Sequence, residues 1–486
     1  MRILTVAAEV APFAKTGGLA DVAAALPKAL AERGHEVALI LPKYLMVDRG
    51  GFETEPIDLP LLFRIDDEER TGWIHRGKIP DTDIPVYFVV NDDFYNRNGL
   101  YQEGGKDYPD NLARFTFFCR SVLELLRSDE FPADVVHCHD WQTALIPIYL
   151  KTLERENPIL SKIKTLFTVH NIAYQGVFPS DQLHITGLPG DVFTPEKIEF
   201  YGDINLLKGG LVYSDRVTTV SERYAKELLT SEFGHGLGPV VVSIQDRLVG
   251  ILNGVDYETW DPETDKTLPA NYSMENLSGK AVCKEALQKK FGLPTLPEVP
   301  ILSTVCRFDR QKGVDLIGQV LDFLLLSEEI QFVALGSGDP EYERMFKELR
   351  DRFPQQVGVH VGQSEDLAHL IEAGSDIFLM PSRYEPCGLG QLYSLKYGTP
   401  PVVHHAGGLA DTVRDYNDAQ KDGYGFAFDR FEEKAFIRAI KRALFAYRDK
   451  TAWQAVQGRG MACDFSWDPS AQKYEKLYQD LVESRG

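Results

Sequence analysis

Short runs of Val, Ile and Leu recur along the chain, each followed by a polar loop and then a stretch with apolar positions at helical spacing. A strand buried on both faces is apolar throughout and needs a crossover helix to reach its parallel neighbour, so this alternation predicts an α/β protein with parallel sheets. Strands are expected at 2–8, 36–41, 85–90, 134–139, 165–170, 216–220 and 249–252 in the first half. In the second half they are expected at 301–306, 331–335, 357–361, 376–380, 401–404 and 425–428. Two doubly wound sheets account for this series better than one.

Two stretches interrupt the pattern. Residues 260–270 are rich in Asp, Pro and Thr, and residues 294–300 carry several prolines, so both are expected outside the core. The tail over 469–481 reads as an amphipathic helix with Tyr474, Leu477, Tyr478 and Leu481 on one face, a stripe suited to packing. Gly17-Gly18-Leu19-Ala20-Asp21 returns as Gly407-Gly408-Leu409-Ala410-Asp411, each time after an apolar strand and before a helical pattern, where a phosphate-cradling loop would lie.

Length and charge narrow the picture. At 486 residues the chain has room for two or three domains with sizeable cores. Its formal net charge of -20 opposes phosphate backbones and anionic headgroups, and no cluster of Lys and Arg offsets it, so neither a nucleic acid nor a membrane partner is expected. An anionic small molecule remains compatible, because a pocket needs only a few placed cations. The six cysteines are far apart and form no CxxC pair, which argues against a zinc knuckle, a redox motif or a disulfide framework, and points to the cytoplasm. The apolar start, interrupted by Glu9, is too short for a signal peptide, and the chain is expected to begin directly with folded structure.

Chemistry concentrates on a few loops. After the first strand comes Lys15-Thr16-Gly17-Gly18-Leu19 and a helix, where free backbone N–H groups at the positive end of the helix dipole could receive a phosphate beside the Lys15 cation. Asp21, one turn in, either complements the dipole or meets a sugar hydroxyl. The second half opens with a strand ending at Arg307, then Phe308-Asp309-Arg310-Gln311-Lys312-Gly313 and a helix from about Val314; Arg307 and Lys312 could clamp one diphosphate or belong to a solvated loop. His137 and His139 share a strand side, a spacing that could ligate a metal, yet no other His or Cys nearby completes a site. Strand ends at Asp140 and at His170-Asn171 converge on one edge, offering the mixed donors and acceptors that suit sugar hydroxyls.

The densest constellation is Pro381-Ser382-Arg383-Tyr384-Glu385-Pro386-Cys387-Gly388-Leu389-Gly390-Gln391, where a strand ends and a helix begins with Glu385 held beside backbone amides. Cys387 as a nucleophile lacks a general base in the sequence, which favours packing or a backbone contact. Neither GxGxxG nor GxxxxGK[ST] occurs, so a dinucleotide enzyme and a P-loop NTPase lose support.

Taken in order, Lys15-Thr16-Gly17-Gly18-Leu19, His137-Cys138-His139-Asp140-Trp141, Thr168-Val169-His170-Asn171, Asn253-Gly254-Val255-Asp256, Arg307 with Lys312, Glu385-Pro386-Cys387-Gly388-Leu389 and Gly407-Gly408-Leu409-Ala410-Asp411-Thr412 closely resemble bacterial glycogen synthases and plant starch synthases. The resemblance is collinear to the terminal helix. It implies a B-type glycosyltransferase fold with two Rossmann-like domains facing a central cleft: an acceptor-side domain over 1–250 completed by a C-terminal helix over 467–486, and a nucleotide-sugar-binding domain over 251–466. It further implies transfer of glucose from ADP-glucose to the non-reducing 4-hydroxyl of an α-1,4-glucan (glycogen, starch or a malto-oligosaccharide), with retention of the α configuration.

Carried onto this chain, the resemblance implies that Lys15, Gly18, Arg307 and Lys312 contact the donor diphosphate, with Gly17 in the same loop. Asp21, Asp140, His170, Asn171 and Asn253 line the sugar side, and Glu385 with the backbone of Cys387, Gly388 and Leu389 holds the transferred glucose. The expected catalytic set is Glu385, His170, Asp140, Lys15, Arg307 and Lys312. No metal or other cofactor is expected, since cations and helix N-termini can stabilise the charge that develops on the leaving diphosphate. Two departures stand out. Related retaining transferases often carry a second glutamate where this chain has Tyr393, as expected for the glucan synthase branch, and Gln363 stands where some bacterial relatives have an aromatic residue near the adenine. Competing readings are a transferase using UDP-glucose or another acceptor, and a catalytically silent sugar- or nucleotide-binding protein.

Overall fold

Strand β1 (Arg2–Val6) buries Ile3, Leu4 and Val6 completely and pairs in parallel on both edges. An apolar run with no polar face has few other stable places in a sheet. The computed structural model describes residues 1–417 and 419–483. Its chain separates into two compact units: Met1–Val220, Ala225–Gly254 and the segment from Trp467 form one, Ser221–Tyr224 and Val255–Ser466 the other.

The first unit is organised by a nine-stranded sheet. With β1 it contains β2 (Glu36–Pro42), β3 (Glu55–Ile65), β4 (Glu68–Lys78), β5 (Pro85–Val90), β6 (Val135–His139), β7 (Lys164–Val169), β8 (Arg216–Thr219) and β9 (Leu248–Gly250). The spatial order is β9-β8-β7-β6-β1-β2-β5-β4-β3, parallel except for the antiparallel pairs that β4 makes with β5 and β3. The hairpin β3–β4 was not foreseen from the sequence. Pro56 and Pro60 interrupt β3, charged residues crowd the turn, and only alternate residues such as Leu61, Phe63 and Ile65 are buried, so the segment lacks the continuous apolar run of the central strands.

The second unit carries a six-stranded parallel sheet. Its strands are β10 (Ile301–Val305), β11 (Gln331–Gly336), β12 (Val357–Val361), β13 (Ile377–Met380), β14 (Pro401–His404) and β15 (Phe426–Phe428), ordered β12-β11-β10-β13-β14-β15. Helices Val314–Ser327 and Glu433–Arg448 cover it with Ile317, Val320, Leu321, Phe436 and Ile440. Both sheets are therefore doubly wound Rossmann-like sheets, as the alternating pattern predicted. Each reverses direction beside its first strand: between β1 and β6 in one, between β10 and β13 in the other. At such a point the loops diverge to opposite faces and leave a crevice at the carboxyl edge where ligands bind.

The helix Trp467–Glu483 packs against Gly18–Glu32, burying Tyr474, Leu477, Tyr478 and Leu481, and Arg33 bonds Glu475 at 2.6 Å and Asp468 at 2.9 Å. Residues 484–486, the end of the expected helix, lie outside the described residues. Among the described residues no helix is long and apolar enough to cross a membrane.

One expectation is overturned. Residues 260–270 help build a core: the Trp260 ring stacks between His369 at 3.8 Å and Tyr393 at 3.9 Å. Asp265 is buried there because His369 Nδ1 at 2.7 Å and the Tyr397 hydroxyl at 2.6 Å satisfy its carboxylate. An acidic, proline-rich composition hides this, since a buried carboxylate needs only partners, and those come from remote segments. Val299 and Pro300 are likewise buried.

Candidate active site

In the first unit the switch-point loop leaves β1 and enters the helix Gly18–Glu32 through Lys15, Thr16 and Gly17. Glu9 organises it. This buried carboxylate accepts the backbone N–H of Thr16, that of Gly17 at 3.2 Å and the Thr16 hydroxyl at 2.7 Å, and the Tyr101 hydroxyl donates to it at 2.7 Å. The expectation of free backbone amides across this loop is thereby corrected: the Thr16 and Gly17 N–H groups already serve Glu9. Lys15 Nζ bonds Asp21 Oδ1 at 2.7 Å, both side chains being partly exposed. Gly17 has an extended backbone with open space where a Cβ would stand.

The adjacent strands β6 and β7 end in polar residues. Asp140 follows β6 with φ 58° and ψ 179°, a region that residues with a side chain occupy only under strain, of the kind that clusters at functional sites. Its Oδ1 accepts the His170 N–H at 2.8 Å, so the loop after β7 clasps the loop after β6. Burial pushes the Asp140 carboxyl up to about 7; the backbone N–H groups of His170 and Asn171 oppose this and the Glu9 charge adds to it.

His170 Nε2 lies 2.8 Å from His139 Nδ1. His137 is held by the Tyr478 hydroxyl at 2.8 Å and by Thr168 Oγ1 at 2.6 Å. These contacts replace the metal-ligand reading of His137 and His139, and among the described residues no group of three or more His, Cys, Asp or Glu could hold a metal ion. Burial brings His137 and His170 down to about 3 and His139 well below the histidine range. Asn171 Oδ1 accepts the Ala173 N–H at 3.0 Å. Asn253, beyond β9, is buried and its Oδ1 has no hydrogen-bond partner, an acceptor that a ligand hydroxyl could satisfy.

In the second unit the loops after β10 and β13 are tied together. Lys312 Nζ donates to Glu385 Oε2 at 2.7 Å, and the fully buried Ser382 hydroxyl donates to the same oxygen at 2.9 Å. Arg383 pairs with Asp315 and donates its backbone N–H to Gln311 O at 2.8 Å. Arg307 is exposed, beside Asp309 at 3.4 Å and Gln311 at 3.4 Å. Gln391 Nε2 takes the carbonyls of Cys387 and Gly388, each at 3.0 Å, and so fixes the turn that leads through Leu389 into the helix Gly390–Lys396. At Gly388, φ is +76° and a Cβ would fall 2.3 Å from Gln391 Oε1; at Gly408 it would fall 2.1 Å from the Cys387 carbonyl oxygen. Cys387 itself is buried. Gly407 has φ +50° whereas Gly17 is extended, so the repeated GGLAD sequence adopts two different starts.

The structure thus joins Lys15 with Asp21 and Asp140 with His170 in one unit, and Lys312 with Glu385 beside the Cys387–Leu389 turn in the other. Gln363 is exposed after β12, and Tyr393 is engaged in the Trp260 stack. Sequence reasoning gave no role to Glu9, Tyr101, Ser382 or Gln391. Glu9 had a signal, an acid in an otherwise apolar strand end; Tyr101 had none, because its partner lies 92 residues away.

Residues 2–243 match the family described as "Starch synthase catalytic domain" and residues 286–454 the family "Glycosyl transferases group 1". A glycogen synthase of Geotalea daltonii is 45% identical over 486 residues, covering 100% of both chains, and one of Geotalea uraniireducens is 46% identical with the same coverage. The catalytic domain of starch synthase IV from Arabidopsis thaliana, bound to ADP and acarbose, is 34% identical, with a TM-score of 0.91 and 99% of each chain covered.

Proposed function

Because the chain belongs to the glycogen and starch synthase family and has its B-type glycosyltransferase fold, we propose that it transfers glucose from ADP-glucose to the non-reducing 4-hydroxyl of an α-1,4-glucan with retention of configuration. The observation that carries this reading is the Lys312–Glu385 pair at the switch point of the second sheet. It sets a cation suited to a leaving diphosphate against a carboxylate suited to a sugar.

Breaking the sugar–phosphate bond develops positive charge at the anomeric carbon and negative charge on the departing diphosphate. In the proposed division of labour, Lys15, Arg307 and Lys312 neutralise the diphosphate, with the Gly18 N–H beside Lys15, and Glu385 stabilises the developing cation while accepting hydroxyls of the transferred glucose. The Cys387–Leu389 turn supplies backbone contacts to that glucose. Asp21, Asp140, His170, Asn171 and Asn253 meet sugar hydroxyls, the first domain serving the acceptor and the second the nucleotide sugar. ADP in the Arabidopsis protein supports an adenine nucleotide donor here, and the six free cysteines support a cytoplasmic setting.

Radiolabelled glucose transfer to glycogen from ADP-glucose and from UDP-glucose tests the reading. The expected result is glucan extension with the higher kcat/KM for ADP-glucose. A higher kcat/KM with UDP-glucose would overturn the donor assignment, and no transfer from either would favour a binding protein.

A further inference from the structure

His139 ends β6 wholly buried, its ring 4.1 Å from that of His137. Its Nδ1 lies 2.8 Å from His170 Nε2, and its other nitrogen, Nε2, is buried with no hydrogen-bond partner. A neutral imidazole carries one proton, on one nitrogen, so the two rings can share their bond in only two ways. If His170 Nε2–H donates, His139 must carry its proton on Nε2, leaving a buried N–H without an acceptor. If His139 Nδ1–H donates, the orphan is a bare lone pair on Nε2. Buried orphan N–H groups are rare and expensive, and an unsatisfied acceptor is the lesser defect.

Building on the glucosyltransferase reading, we propose that His139 is a positioning residue that fixes His170 as its Nδ1–H tautomer, so that His170 meets a sugar hydroxyl as a hydrogen-bond donor. The neutral state that this needs is supplied by burial, which lowers the proton affinity of both rings. The neighbouring ring cannot take over the role, because both nitrogens of His137 are engaged, by Tyr478 and Thr168. His170 keeps some exposure, whereas His139 has none, as befits a residue that acts through another.

The test is long-range 1H–15N correlation on the full chain labelled with 15N-histidine, the His170 signals being identified by their loss in His170→Gln. The expected wild-type spectrum shows His170 protonated at Nδ1 and bare at Nε2. In folded His139→Leu the His170 proton should move, wholly or partly, to Nε2, with a fall of about tenfold in kcat/KM, the scale of one oriented hydrogen bond. A wild-type proton on His170 Nε2 overturns the proposal, as does an unchanged Nδ1–H signal in folded His139→Leu. Should that variant fail to fold, the wild-type spectrum decides. The tautomer is read in the ligand-free protein, so failure of glucose transfer would count against the functional reading and leave this assignment standing.

Discussion

Lys312 Nζ sits 2.7 Å from Glu385 Oε2, so the cation proposed for the leaving diphosphate and the carboxylate proposed for the transferred glucose hold each other. The Glu385 side chain is 6% exposed and that of Lys312 19%, little enough that neither charge is screened as a surface group would be. Removing Lys312 leaves a buried carboxylate short of its cation and the diphosphate short of a counter-charge. Lys312→Ala should lower kcat by about 10² to 10³, the usual scale for deleting one preorganised stabilising group. Near-native turnover at saturating donor would contradict this.

Glu385→Gln keeps the shape and removes the charge. If the carboxylate stabilises the developing cation, kcat should fall strongly while donor KM changes little. A folded variant with near-wild-type kcat and only KM altered would show a role in hydroxyl binding instead.

Glu9 gathers four donors from Thr16, Gly17 and Tyr101, so it decides where Lys15 stands. Glu9→Gln turns one oxygen into a donor facing donors and should destabilise the fold by about 1–3 kcal/mol. Donor KM should rise with it. Tyr101→Phe should reproduce part of the loss, and the double variant should be non-additive, because both act on one network. Additive urea midpoints would mean that Tyr101 does not act through Glu9.

The buried histidines and Asp140 pull the pH dependence in opposite directions. The folded values of His137 and His170, about 3, lie below the ordinary 6.5, so the unfolded chain binds protons that the native state refuses. Their contribution is complete above about pH 6.5 and is lost as pH falls towards 3. Asp140, at about 7 against an ordinary 3.8, behaves in reverse: its contribution is present below about pH 4 and is lost as pH rises to about 7. Relative to wild type, His170→Gln should gain stability as pH falls from 6.5 to 4, and Asp140→Asn should gain as pH rises from 4 to 7. Parallel urea-midpoint curves for either variant would refute its assignment.

Tyr393 lies flat on Trp260, with ring planes 3° apart. Installing the glutamate of related transferases would press a carboxylate against the indole. Tyr393→Glu should therefore lower the unfolding midpoint and confer no gain in turnover; a stability equal to wild type would show that the stack contributes little.

The series of buried strands was legible from residue order alone, because a parallel strand covered on both faces is mostly apolar and admits only small polar residues, as Ile3, Leu4 and Val6 around Thr5 and Ile301, Leu302 and Val305 around Ser303 and Thr304 show. The loops bearing Lys15, Arg307, Lys312 and Glu385 were legible for a related reason: doubly wound sheets gather the loops that follow their strands at the carboxyl edge, where ligands bind. The hairpin β3–β4 was not, since half-buried edge strands tolerate proline and charge. Pairing was beyond the sequence altogether. Whether Glu9 meets Tyr101, whether Asp265 is solvated or locked between His369 and Tyr397, and which nitrogen of His139 finds a partner depend on segments far apart in the chain being brought within about 3 Å. A hydrogen bond acts only at contact, so only the tertiary structure could decide them.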